Sequence, residues 1–185
     1  MRNEEQPTLP HEEHTSSSGT YGRAAALGFV TGLRSQTAIA ALALATGPGQ
    51  PYAALAGDAA PWRWLGTSAA RIGFGLAAAG EYVGDKLPQT PGRLTPGPLG
   101  GRIAFGAFAG AAVCRVEGRS PVLGGALGAL GAFGGSYAGY RYRTAVAQRK
   151  APDLPFAIIE DAVAIILALV AVRSAAPDPE PEYVI

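Results

Sequence analysis

The sequence predicts an all-α fold: a polytopic, Gly/Ala-rich membrane helix bundle of about five spans. Three observations predict it. Charged residues make up 16% of the 185 positions, well below the roughly 25% of a soluble domain. Glycine is heavily used, at 26 residues, and gathers in apolar runs. In a helix surrounded by water each interior glycine costs about 1 kcal/mol against alanine, whereas helices in lipid use small residues to approach one another closely. Finally, apolar stretches near the ~20 residues that cross a bilayer recur five times. The net charge of +1 offers no electrostatic footprint for nucleic acid. Mean hydropathy is only modest at +0.16, because polar tails and proline-rich loops dilute the apolar runs.

Residues 1–20 read as a disordered polar tail, without the apolar core of a cleavable signal peptide. The "HEEH" inside it has one residue too few for the zinc-protease spacing, so no metal site is expected. The bundle is expected over residues 21–175. Its first candidate span is Tyr21 to Ala45, and the second runs from about Trp64 to Lys86. The third covers about Gly97 to Val116, the fourth Pro121 to about Arg143, and the fifth Phe156 to Val172. Residues 176–185 form a second polar, acidic, proline-rich tail, also expected to be disordered. Cys114, the lone cysteine, lies in an apolar run and reads as a small buried hydrophobe.

Lys/Arg placement sets the expected orientation. Arg2, Arg23, Lys86, Arg93, Arg102, Arg141, Arg143, Arg149 and Lys150 fall on one side of a five-span bundle. Arg63, Arg115, Arg119 and Arg173 fall on the other, with Arg71 just inside. The richer side is placed in the cytoplasm. This puts the N-terminus inside and the C-terminus outside the cytoplasmic membrane, with Trp62 and Trp64 at the outer interface.

Gly124, Gly128, Gly131, Gly135 and Gly139 recur every three or four residues and share one face of the fourth helix. Such a face forms a groove that another helix can enter. Gly28 with Gly32, Gly80 with Gly84, and Gly106 with Gly110 repeat the device. A nucleotide loop would need a preceding strand and a βαβ unit, and no such pattern is present. "GLRSQTAIA" at Gly32–Ala40 and "GYRYRTAVA" at Gly139–Ala147 share Gly, Arg, Thr, Ala and Ala in register. The match suggests an inverted repeat, helices one and two against four and five, as in many transporters.

Charged residues inside the spans carry the chemistry. Arg34 lies deep in the first, where a charge costs about 3 kcal/mol unless it is paired or hydrated. Glu81, Asp85 and Lys86 end the second, and Glu160 and Asp161 lie near the start of the fifth. Lys86 reads as an anchor reaching to the interface, and Pro88, Pro91, Pro96 and Pro98 after it are expected to stop helix two and to prevent re-entry as a regular helix. Glu81 sits a turn deeper and needs a partner: Arg34, Arg102 or Arg141. Two readings stand side by side. The acids form interhelical ion pairs, or Arg34, Glu81, Asp85, Lys86, Glu160 and Asp161 build a site for an ion, a proton or a small solute.

"GLRSQTAIAALA", "GEYVGDKLPQTPGR" and "DLPFAIIEDAVAI" together resemble an uncharacterised bacterial integral-membrane family, domain-of-unknown-function family four-one-two-six. The resemblance covers about Tyr21 to Ala175, and the run Glu81 to Pro88 is its most specific part. It implies a multi-helix inner-membrane protein and no reaction, substrate or cofactor. Where members often carry an Asp-rich stretch after that proline, this chain has "PQTPGR".

Function is expected among three classes. The first is a small transporter or channel using intramembrane carboxylates. The second is a structural or assembly protein with glycine-lined packing faces. Third is an intramembrane enzyme, disfavoured because both histidines lie in the tail and no paired base and nucleophile is evident. No cofactor and no nucleic-acid partner are expected. The expected partners are the lipid bilayer and a second copy of the chain, since five helices make a thin bundle.

Overall fold

The computed structural model describes residues 17–84, 94–149 and 153–174. These described residues are helical, with no strand among them. Seven α-helices follow in order: α1 Ser17–Leu33, α2 Thr37–Leu44, α3 Ala54–Gly57, α4 Ser68–Gly84, α5 Pro96–Val116, α6 Pro121–Gln148 and α7 Asp153–Arg173. A 3₁₀ turn, Trp62–Gly66, precedes α4. Residues 1–16 and 176–185 of the expected tails lie outside the described residues, whereas Ser17 to Thr20, expected to belong to the disordered tail, form the first turn of α1.

Local chemistry sets several boundaries. α5 begins at Pro96 and α6 at Pro121, positions where a missing N–H is harmless. Pro96 and Pro98 thus open a helix rather than bar one. Ser120 caps α6, accepting from the Leu123 N–H at 3.3 Å. Gly118, with φ +62°, makes the tight reversal between α5 and α6.

The first candidate span is not one helix. It breaks at the polar run Arg34-Ser35-Gln36 into α1 and α2, and α2 turns back alongside α4. Thr37 meets Tyr82, and farther along the return Thr46 reaches the Leu65 carbonyl. α1 runs from a first end of the bundle, marked by Arg23 and Glu117, to a second end, marked by Arg34. α4 and α6 run the same way, while α5 and α7 return. At the first end Arg23 donates to the Ser174 carbonyl at 3.2 Å, so the start of α1 and the finish of α7 lie together. The expectation that the chain's ends lie on opposite sides is therefore corrected. Arg23 also leaves the Lys/Arg-rich group for the poorer one, which narrows the charge bias behind the orientation from nine against four to eight against five.

Tight packing centres on α6, which lies between α1 and α5. A Cβ built on Gly28 would meet the backbone of Gly128, and one on Gly110 that of Gly124. Cβ atoms on Gly131 and Gly135 would run into the α1 backbone at Ala25 and Phe29. All four contacts would fall under 3.0 Å, which real Cβ atoms essentially never show. Gly139 is also buried on α6. Gly80 and Gly84 differ: nothing lies within 4 Å of a Cβ there. The paired Gly28–Gly128 and Gly32–Gly135 contacts mean that α1 and α6 run in parallel. Helices related by an inverted repeat would run in opposite directions, so the expected inversion does not describe this fold.

Two helices, Pro96–Val116 and Leu154–Arg173, are long and apolar enough to cross a membrane by length and composition. On α7 the buried face is small: Ala157, Ala164, Ala168 and Ala171 point inward. Ile158, Ile159, Val163, Ile166 and Val170 point outward. α4 and α6 extend that exposed apolar surface through Ile72, Leu76, Leu130 and Phe133.

Candidate functional site

The break between α1 and α2 creates a demand. A new helix start leaves backbone N–H groups without intrahelical acceptors. No side chain of the helix's own N-cap residue, Gln36, fills that role. Glu81, reaching from α4, fills it instead. Its Oε1 accepts from Ser35 N at 2.8 Å and Ser35 Oγ at 2.9 Å, and its Oε2 accepts from Gln36 N at 3.0 Å. A carboxylate at a helix N-terminus also meets the positive end of the helix dipole. Arg102 of α5, itself buried, lies 3.6 Å from Oε1. Of the three cations expected as partners for Glu81, the structure selects Arg102. Arg141 is exposed on α6.

Arg34 turns the other way. It is fully buried, at 0% exposure. Its guanidinium pairs closely with Asp161 of α7 and lies 4.0 Å from Glu160 Oε2. It also sits 5.6 Å from the centre of the Tyr82 ring, within cation–π range. The Tyr82 hydroxyl shares a 2.7 Å hydrogen bond with Thr37 Oγ1. Four elements therefore meet around two guanidinium groups and three carboxylates: the α1–α2 corner, α4, α5 and α7. Of the six expected site residues, Arg34, Glu81, Glu160 and Asp161 come together. Asp85 and Lys86 lie outside the described residues.

The cluster touches two apolar grooves, one on each side of α7. One is lined by Phe29, Leu33, Gly139, Tyr142, Ile159 and Glu160. The other lies between α2, α4 and α7 and reaches Thr37 and Tyr82. Among the described residues, no group of three or more His, Cys, Asp or Glu side chains could hold a metal ion.

A second polar knot lies at the first end of the bundle and was not singled out from the sequence. Glu117, just past α5, takes a hydrogen bond from Thr20 and an ion pair from Arg23. Tyr52 is fully buried nearby. Burial pushes its phenol well above its ordinary range, Glu117 adds to the rise, and Arg23 opposes it. The signal for this knot was slight: Glu117 follows Arg115 at the close of an apolar run, but nothing in the spacing joins it to Tyr52, Thr20 or Arg23. Outside the knot, Arg115 forks onto Asp58 at 2.8 and 3.1 Å. That bond, helped by the Ala59 N–H, holds the Asp58 carboxyl below its usual value.

No family model, curated protein or solved structure matches the chain.

Proposed function

We propose that this chain is a polytopic membrane protein acting as a small transporter or channel, with the Arg34–Glu81–Arg102–Glu160–Asp161 cluster as its ion or proton site. The observation that carries the reading is Arg34: a fully buried guanidinium beside two carboxylates, at a helix break, in a bundle whose exterior is apolar. Exposed isoleucine and leucine over buried alanine, as on α7, is the reverse of a water-soluble helix and suits a lipid-facing one. Ionisable groups inside such a bundle are expensive and mark substrate or ion pathways. Discontinuous helices place charged groups at freed backbone ends in many transporters, and the α1–α2 corner is such a discontinuity. On this reading the five long helices α1, α4, α5, α6 and α7 span the cytoplasmic membrane. The chain between α1 and α4 returns through α2, and both ends of the bundle's chain emerge on one side. The resemblance to family four-one-two-six agrees with the location and adds no activity.

Glu160 is the residue to test, because it lines a groove as well as facing Arg34. Purified protein is reconstituted in liposomes, and proton and monovalent-ion flux is followed with internal dyes. Glu160→Gln is expected to lower flux at least tenfold while keeping a monodisperse, cooperatively melting protein. Equal flux in both proteins would remove the transport reading.

A structural role is the second reading, and Glu81 favours it. Both of its oxygens are engaged with the α2 start and Arg102, as a packing clamp would have them. The glycine contacts on α6 are likewise made within one chain, so a structural protein would use this face for its own fold rather than for a partner.

A further inference from the structure

The groove between α2, α4 and α7 is built by omission. Ala40 and Ala41 of α2, Gly75, Ala78 and Ala79 of α4, and Ala168 of α7 all turn small side chains toward one space. The slot of about 280 Å³ is left open. Leu44, Ile165 and Leu169 rim it and continue into the exposed apolar surface of α4 and α7. Its polar end is the hydrogen-bonded hydroxyl pair of Thr37 and Tyr82. Tyr82 lies within a turn of the end of α4, so the slot starts near the second end of the bundle and runs inward along α2.

We propose that this slot holds one acyl chain of a membrane phospholipid, with the ester oxygens at the Thr37–Tyr82 hydroxyls. The inference rests on the membrane reading above. Size, polarity and direction select the occupant. The slot has room for about nine groups of roughly 30 Å³ each, the scale of a chain of methylenes. Its volume is well under that of two turns of a helix about 10 Å across. From Thr37 to Leu44 the walls rise about 10 Å, apolar except at the outer end. A phospholipid has the same order: polar ester at the surface, hydrocarbon beneath. Filling the slot removes the apolar void that alanine and glycine leave, and an empty void forfeits the contacts of its lining.

Two glycines two residues apart on α4, and so on opposite faces of it, make the test. A Cβ on Gly73 or on Gly75 meets nothing within 4 Å, so both tolerate a larger side chain. Only Gly75 lines the slot; Gly73 faces outward. The full-length protein, Gly75→Leu and Gly73→Leu are purified from phospholipid membranes in mild detergent, and native mass spectrometry counts the lipid retained. One phospholipid per chain is expected in the parent and in Gly73→Leu, and retention in fewer than one molecule in ten in Gly75→Leu. Equal retention in Gly75→Leu, no retained lipid in the parent, or a retained free fatty acid in place of phospholipid overturns the proposal. The flux measurement fails separately. A chain that conducts nothing yet keeps this lipid sinks transport and leaves the slot standing, whereas recovery from the soluble fraction sinks both.

Discussion

At the scale of single residues, two arginines, Arg23 on α1 and Arg34 immediately after it, explain how α7 is held. Arg23 and Arg34 are eleven residues apart, about three turns, and so share a face. Arg23 reaches the Ser174 carbonyl at the close of α7, and Arg34 pairs with Asp161 two turns inside its start. Removing one member of a buried ion pair leaves the other charge uncompensated, at a cost of about 3–5 kcal/mol. Arg34→Gln is therefore expected to destabilise the protein by that amount in detergent unfolding titrations. Arg34→Gln with Asp161→Asn should recover most of the loss, a strongly non-additive cycle. Additive losses would show that the two side chains do not depend on each other.

Tyr52 gives a pH dependence at the same scale. Its folded-state phenol is raised above the ordinary value of 10.0. The folded protein keeps a proton that the unfolded chain releases, so stability is full below about pH 10 and falls as pH rises beyond it. Melting temperatures measured between about pH 9 and pH 11 should decline less steeply in Tyr52→Phe than in the parent. Parallel curves would mean that Tyr52 is not the group responsible.

At the scale of elements, glycine position decides everything on α6. Gly128 is closed in by the backbone of Gly106, while Gly134 has open space. Gly128→Leu is expected to push α5 away and abolish the cooperative melt. Gly134→Ala should be neutral or stabilising by up to about 1 kcal/mol, the helix-propensity gain. If the two melt alike, the α5–α6 contact is not as close as described. Spacing alone marked Gly124, Gly128, Gly131 and Gly135, because residues three and four apart must share a face. It could not separate them from Gly80 and Gly84, which have the same spacing and no neighbour. Periodicity identifies a face; only the tertiary partner determines whether that face is covered.

The α1–α2 corner shows the same limit from the other side. Arg34-Ser35-Gln36 is polar in an otherwise apolar run, and that is a legible place for a break. What the run alone does not contain is the acceptor. Glu81 lies 45 residues from Gln36, and its fitness to cap α2 exists only once α4 lies alongside. The sequence marked the acids as needing partners and included Arg102 among the candidates for Glu81. The reversal at the corner leaves Arg34 between α4 and α7, over the Tyr82 ring and paired with Asp161.

For the whole molecule, that reversal changes the topology. Counting apolar runs gives five passes and ends on opposite sides, because a run of 25 apolar and small residues looks like one span. Folding back at Arg34 adds a return, and an added return brings the ends together. Four single cysteines test this on intact cells or sealed vesicles. Ser18→Cys and Ser174→Cys lie at the first end of the bundle and Gln148→Cys at the second, all three at exposed positions. The native Cys114 is buried and serves as the silent fourth. A membrane-impermeant maleimide added from one side should label positions 18 and 174 together and leave 148 unlabelled, and the pattern should invert when it is added from the other side. Labelling of 18 and 174 from opposite sides would restore one continuous first span, and with it an Arg34 that faces a different set of carboxylates. Labelling of all three from one side would mean that the long helices do not cross the bilayer at all. The bundle's apolar exterior would then have to be buried against other protein, and the cluster would lose the low-dielectric setting on which its role as an ion site depends.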